Sequence, residues 1–360
     1  MATYTLPGLL DVHVHLRNPG GTHKETVATG TAAALAGGVT ALLAMPNTTP
    51  PITDGTRLDE ARVQHAAQAV CDVGIYLGAT AENPPDVAAA AERAAGLKIY
   101  VNETFGPLRI DDLASLDAHF RTWPRGGRPI VLHAEEMAVA AAIGLAATYG
   151  QRIHIAHVSR AEEIRLIAAA KERGLGVTCE VTPHHLFLTA DDLPALGPFG
   201  LMRPPLARAA DRDALWAHLD AVDCIATDHA PHTRAEKLSA KPPPGVPGLE
   251  TLLPLLLTAV AAGRLTLDRL VDLTSTTPAR IFGVATPAES EVEVEVGPAW
   301  VLPERGYQTL VDWTPFAGMT VCGRVVRTTL RGVVAWADGA VRVAEGSGRV
   351  LFGGGRSDST

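Results

Sequence analysis

The chain has 360 residues, 47% of them hydrophobic and 19% charged, and its net charge is −8. That length and composition suit a globular enzyme, either two ordinary domains or one α/β barrel with an appendage. The negative balance argues against nucleic acid or an anionic membrane surface as partner, and no apolar run is long enough to span a bilayer.

The order of elements begins with an alternating strand, Leu9 to Arg17. A period of two would put Asp11, His13 and His15 on one face and Val12, Val14 and Leu16 on the other. The run before it, Met1 to Gly8, has neither a basic nor an apolar targeting segment. After the Pro19–Thr22 turn, a helix is expected over His23–Leu35, ended by Gly37 and Gly38, then an apolar strand over Val39–Met45. A helix over Thr56–Val70 and a strand over Asp72–Leu77 follow. Next come a helix over Pro85–Ala95, a strand over Leu97–Val101, a helix after Ile110 and a strand over Pro129–His133. The alternation continues with helix Glu135–Ala147, strand Arg152–Val158, helix Arg160–Arg173 and strand Val177–Val181. A long loop leads to a helix near Asp211–Leu219, strand Cys224–Asp228, and helices over Leu249–Ala262 and Leu267–Leu273.

Eight strand candidates separated by helices, several uniformly apolar, predict a (β/α)8 TIM-like barrel over residues 7–283. An open doubly wound sheet is the competing arrangement, but no Gly-x-Gly-x-x-Gly follows a strand. Beyond Phe282 the alternating Glu291–Val296 run and strands at Val321–Leu330 and Val333–Val343 predict a small β-rich appendage. It would span 284–352 and recruit residues 1–6, and residues 353–360 read as a disordered tail. Cys71, Cys179, Cys224 and Cys322 are far apart in sequence, and reduced thiols in a cytoplasmic protein are expected.

Polar residues gather at the C-terminal ends of the strands, where barrel enzymes build their sites. Strand one offers His13 and His15, and further strands end at His133, at His157 and at Asp228, which His229 and His232 follow. A lone histidine of this kind is commonly structural, but one at each of several strand ends of one barrel is a ligand set. His154, an odd number of residues from His157, is expected to face the helical layer. Imidazole and carboxylate ligands suit zinc, with manganese, cobalt and nickel left open. Lys98 lies inside an apolar strand; such a lysine either snorkels from an edge or, if buried and neutral, can react with CO2 to give a bridging carbamate.

These blocks carry a resemblance. Asp11–Arg17, Ala44–Thr48, Gly96–Phe105, Asp228–His232 and Pro242–Thr251 resemble the dihydroorotases of the amidohydrolase superfamily, across essentially the whole chain. The sequence is most similar to the dihydroorotase domain of the animal multifunctional pyrimidine-synthesis protein. The resemblance implies two Zn2+ per chain, one held by His13, His15 and Asp228 and one by His133 and His157, bridged by carbamylated Lys98 and a hydroxide. It implies reversible cyclisation of N-carbamoyl-L-aspartate to L-dihydroorotate in pyrimidine biosynthesis, with Asp228 moving the proton. Arg17, Asn47, Arg203 and His232 match substrate-binding positions, and Thr104 and Phe105 match a loop that closes over substrate. A homodimer, or association with other enzymes of the pathway, is left open, as are a related cyclic amidase (allantoinase or dihydropyrimidinase) and an inactive scaffold. The chain departs from the animal domain at Ala156, where a cysteine contributes to a third metal site there, so Glu180 is expected to be free or structural. Asn18 replaces a usual acidic residue.

Overall fold

A computed structural model of the chain describes residues 2–104, 106–285, 287 and 289–352. Phe105 and the expected tail at 353–360 lie outside the described residues. Strand β1 (Ala2–Pro7) stands apart from the barrel, which begins with β2 (Leu9–Val14), β3 (Val39–Ala44) and β4 (Asp72–Ile75), a parallel three-stranded sheet. A six-stranded parallel sheet follows: β5 (Leu77–Gly78), β6 (Leu97–Tyr100), β7 (Ile130–His133), β8 (Ile153–Ile155), β9 (Val177–Val181) and β10 (Cys224–Ile225). Strands β4 and β5 are two halves of one stave, because Tyr76 between them still donates its N–H to Ala44 O, while Leu77 donates to Gly96 O. A parallel bridge from Val14 to His229 joins the first stave to the continuation of β10, and His15 N donates to His229 O at 2.8 Å. Eight staves therefore close into a barrel.

Every residue of β2, β3, β4, β6, β7 and β8 is buried, as expected of parallel strands covered on both faces. One apolar cluster lies between the staves and the helices. A second fills the interior with Leu10, Val12, Leu43, Met45, Tyr76, Val131, Ala156, Cys224 and Phe282. The interior is thus a packed plug beneath the strand ends, not a channel. Near the start of β4, Leu351 and Phe352 add to this plug, and Leu351 N donates to Val73 O.

The helices start where short polar side chains cap them. Asp54 and Asp112 accept from the N–H groups of Arg57 and Ser115. Thr26 caps the first helix, which runs over Val27–Ala36 and not from His23, so His23, Lys24 and Glu25 belong to the preceding turn. The helix expected over Pro85–Ala95 is a short Pro84–Ala89 helix followed by a 3-10 turn at Ala91–Arg93. The helix expected to stop at Leu273 continues through a π-helical turn, Asp272–Thr276, into Thr277–Phe282, which delivers Phe282 to the interior.

The appendage is a five-stranded antiparallel sheet in the order β1, β11 (Glu291–Val301), β12 (Thr320–Leu330), β13 (Val333–Ala337), β14 (Ala340–Val341). Ala2–Pro7 pairs with Val296–Glu291. Residues between β11 and β12 fold back over the barrel, where Leu302, Trp313 and Phe316 pack on Leu188, Met202 and Leu206. Among the described residues no helix is long and apolar enough to cross a membrane.

Candidate metal centre and active site

The opening strand does not keep its period. Leu10 and Val12 belong to the interior plug, whereas Val14 and Leu16 pack in the outer cluster, and the pairing with β3 shifts between Asp11 and Val14. This irregularity turns His13 inward directly after Val12. Asp11 fixes it: its carboxylate accepts from His13 N at 3.0 Å, from Thr227 N, and from Thr227 Oγ1 at 2.6 Å. Asp11 thus staples the first stave to the residue before Asp228, a supporting role rather than ligation.

His13 and His15 both point Nε2 at one oxygen, Asp228 Oδ1, at 3.3 and 3.1 Å. Their outer nitrogens are taken: His13 Nδ1 lies 2.5 Å from Glu180 Oε1, and His15 Nδ1 2.7 Å from Asn47 Oδ1. Both partners can only accept there, so the network assigns the proton to Nδ1 and leaves each Nε2 lone pair facing the centre. That is the tautomer a metal ligand requires. Ligand atoms of His13, His15 and Asp228 all lie within 4.8 Å of one another, and all three residues are buried. Burial alone would raise the Asp228 carboxyl; a positive charge shared with the His13 and His15 rings would outweigh it and hold Asp228 well below the usual carboxylate range, so the pocket suits an ionised carboxylate beside a cation. Burial lowers His15 to about 4, which keeps its ring neutral near pH 7.

The second group lies alongside. His133 Nδ1 and His157 Nε2 are 2.9 Å apart, and the His157 ring centroid is 5.1 Å from that of His13. Burial lowers the pKa of both rings. His157 Nδ1 and Lys98 Nζ are buried without a hydrogen-bond partner, and His133 Nε2 has only the Glu135 carboxylate, at 3.4 Å. Lys98 is wholly buried, its amine 5.1 Å from the Tyr100 ring centroid, so the edge-lysine alternative fails. Burial brings its pKa down to about 8, so a usable fraction of the amine is neutral at physiological pH. Orphaned polar atoms cost about 1–3 kcal/mol each unless something satisfies them. The converging nitrogens, His133 Nδ1 and His157 Nε2, together with the unpartnered Lys98 amine and a ready His-His-Asp set, fit a metal centre. The backbone also pays for this placement: His157 and Asp228 have φ of 37° and 44°. Such conformations cost about 1–3 kcal/mol each for non-glycine residues and gather at functional sites.

Glu180 is neither free nor idle. Beyond His13, its carboxylate accepts from His154 Nε2 at 3.1 Å and from His157 N at 3.2 Å. His154 is therefore directed into the barrel, against the expectation that it faces the helices; its ring packs edge-on against Phe282 with centroids 5.2 Å apart. The strand ends at Ile155, and the turn that follows, with His157 at positive φ, breaks the parity on which that expectation rested. Burial would raise the Glu180 carboxyl, but the His13 and His154 rings hold it well below its ordinary range.

The remaining candidates ring the mouth. Arg17 is buried, donates through Nε to Pro231 O at 3.2 Å, and has a terminal nitrogen 3.2 Å from His232 Nε2. Burial lowers its pKa to about 10, which leaves it charged. Lys24 Nζ lies 3.1 Å from His232 Nδ1 and 3.0 Å from Glu236. Arg17 and Lys24 thus flank the His232 ring, which burial and these two cations hold neutral, well below its ordinary pKa; Lys24 was missed in the sequence, although it falls four residues past Gly20 in the turn after strand one. Asn47 orients His15, as described. Arg203 is exposed and lies close enough to Glu135 to help lower that carboxyl, though burial acts the other way. Thr104 is half-buried; a Cβ built on Gly106 would lie 3.6 Å from Asn47 Cβ, so this loop runs beside the His15–Asn47 pair. His184 was also missed. It is buried with its Nε2 unpartnered, in the short helix Pro183–Phe187 that follows β9.

The Dihydro-orotase-like family model matches residues 3–119. The chain is 52% identical over 339 residues to the multifunctional protein CAD of Squalus acanthias, covering 94% of this chain but 15% of that protein. The chain thus spans a small part of that relative's length. It is 37% identical to the dihydroorotase of Halobacterium salinarum, covering 92% of this chain and 86% of that one. Among solved structures, an L-hydantoinase (dihydropyrimidinase) from Arthrobacter aurescens superposes with a TM-score of 0.91 at 26% identity, covering 97% of this chain and 88% of its own. That superposition fixes the barrel-plus-appendage fold, and the matches along nearly the full length of a free-standing dihydroorotase settle the lineage: the chain belongs to the dihydroorotase family.

Proposed function

We propose that this chain is a dihydroorotase that interconverts N-carbamoyl-L-aspartate and L-dihydroorotate at a two-zinc site. The observation that carries the reading is the buried pairing of a His-His-Asp cluster with a second histidine pair and an unpartnered lysine amine. One ion would be held by His13, His15 and Asp228, the other by His133 and His157, with the Lys98 amine carbamylated between them. The metals would supply Lewis acidity toward the ring amide carbonyl and a lowered pKa for the attacking water.

The protein's own side chains do the rest. In hydrolysis Asp228, ionised at neutral pH, accepts the proton of the attacking water and passes it to the departing ring nitrogen. In ring closure it takes the proton from the carbamoyl nitrogen. Arg17 offers a planar guanidinium to the substrate's free carboxylate, which it can grip through two parallel bonds. His232, beside that guanidinium, and Arg203 are the further candidates for gripping the carboxylate, and the loop that Thr104 and Phe105 match in sequence would serve to exclude water. Asn47 acts on His15 through its 2.7 Å contact and so contributes to the metal side as well. Alignment with a segment of a multifunctional protein supports a place beside other pyrimidine-pathway enzymes.

The hydantoinase-like fold supports a second reading, a cyclic amidase with another substrate. Comparing turnover of dihydroorotate, allantoin and dihydrouracil by the metal-loaded protein tests the assignment. Preference for dihydroorotate is expected; preference for either other ring would replace it, and no turnover of any would favour an inactive scaffold.

A further inference from the structure

Lys237 is a second wholly buried lysine, and unlike Lys98 it is fully satisfied. Its Nζ lies 3.0 Å from Leu201 O, 3.0 Å from Pro243 O and 3.1 Å from Gly245 O. Three carbonyls match the three N–H bonds of an ammonium. Two separate segments, 199–205 and 242–248, are thereby tied to one charge. Leu201 O also accepts from Gly245 N at 2.9 Å, so the two segments meet at the cage.

The second segment meets the candidate substrate side of the site, and the first carries one of its candidate residues. Arg203 is two residues past Leu201. Gly245, at φ +132°, presses its backbone on the Asp228–His232 turn: a Cβ there would lie 2.5 Å from Ala230 O and 3.1 Å from His232 Cδ2. The turn is held from its other side, because Trp313 Nε1 donates to His232 O at 2.8 Å. An apolar side chain could fill the space of the lysine stem, and burying an ammonium is costly unless every bond is made. What only the ammonium provides is a fixed spacing among three carbonyls.

We infer that Lys237 is a positioning residue for the carboxylate-binding side of the site, setting Arg203 and His232 by caging the two segments that carry or press on them. The inference rests on the reading of Arg203 and His232 as substrate-binding groups. It concerns substrate grip rather than the metal centre, since no atom of the cage belongs to a proposed ligand.

The test is steady-state dihydroorotate hydrolysis and metal content of the full chain, for wild type, Lys237→Met and Lys237→Gln. Met removes all three donors; Gln keeps two on a shorter stem. KM is expected to rise about tenfold in the Met variant and less in the Gln variant, with kcat within a few-fold and metal content unchanged, the pattern of lost substrate binding. KM within twofold of wild type in either folded variant, or a fall in kcat together with metal loss, would overturn the assignment. If Lys237→Met does not fold, Lys237→Gln carries the same criterion. A wild-type protein that does not turn over dihydroorotate would instead reject the activity itself, which separates the two failures.

Discussion

Asp228 gathers two demands on one side chain, since it faces both His13 and His15 and stands at the end of the last stave. The chain accepts a strained φ there to hold it. Replacing it with Asn keeps the shape and removes the base. Asp228→Asn is expected to lose turnover by about a thousandfold while its thermal unfolding stays near wild type; wild-type-like kcat would reject the proton-transfer role. Glu180 acts one step back. Because it fixes the His13 tautomer, Glu180→Gln is expected to weaken metal affinity by about 10–100-fold, as losses of such outer partners do; a competition titration with a chelator measures this. Glu250 offers a pH test away from the metals. It is half-buried, accepts from Gln308 N and Thr309 N, and desolvation raises its carboxyl from 4.5 to about 7. A raised folded-state pKa means the native state binds the extra proton, so its contribution to stability is present below pH 4.5 and lost as pH rises through 7. Glu250→Gln should remove that slope, worth up to about 3 kcal/mol, between denaturant curves at pH 5 and pH 8; parallel slopes in both proteins would contradict it.

Among elements, the strands were legible because their chemistry is repetitive. Buried parallel strands read as apolar runs, and their ends as His13, His15, His133, His157 and Asp228. Parity failed where strands end. The register shift after Asp11 moves His13 onto the side of Val12, and the turn after Ile155 sends His154 and His157 to one centre. Neither irregularity leaves a mark in a pattern of period two, because it is tertiary pairing, through Asp11–Thr227 and Glu180, that produces it. The Thr277–Phe282 helix was hidden for a related reason: a π-helical turn breaks the spacing that would announce it. Phe282 joins that helix to the site, with its ring 6.2 Å from Tyr76 and 5.2 Å from His154 between centroids. Phe282→Ala is expected to cost about 3–5 kcal/mol, as large-to-small core changes do, in denaturant unfolding; a cost below 1 kcal/mol would mean the plug repacks freely.

Over the whole molecule, the barrel and appendage meet at the back of the active site. Glu25 accepts from Leu310 N and from Thr309 Oγ1, residues of the segment linking β11 to β12, and lies 3.2 Å from His229 Nε2. The residue next to Asp228 is thus tied to the appendage through one buried carboxylate. Long-range ties of this kind, like the Lys237 cage, involve residues away from the strand ends: Glu25 sits in a turn and Lys237 ends the short helix Arg234–Lys237, with no ligand spacing to mark either. In the proposed function, ligands scattered along the chain converge on one two-ion centre for dihydroorotate hydrolysis. The most direct measurement is metal per chain alongside dihydroorotate hydrolysis, before and after exhaustive chelation, for wild type and Lys98→Ala. Two ions in active wild type are expected, with turnover lost on chelation and restored by zinc, and with loss of the paired ions in Lys98→Ala. Two tightly bound ions in Lys98→Ala, or wild-type turnover that survives complete metal removal, would contradict it.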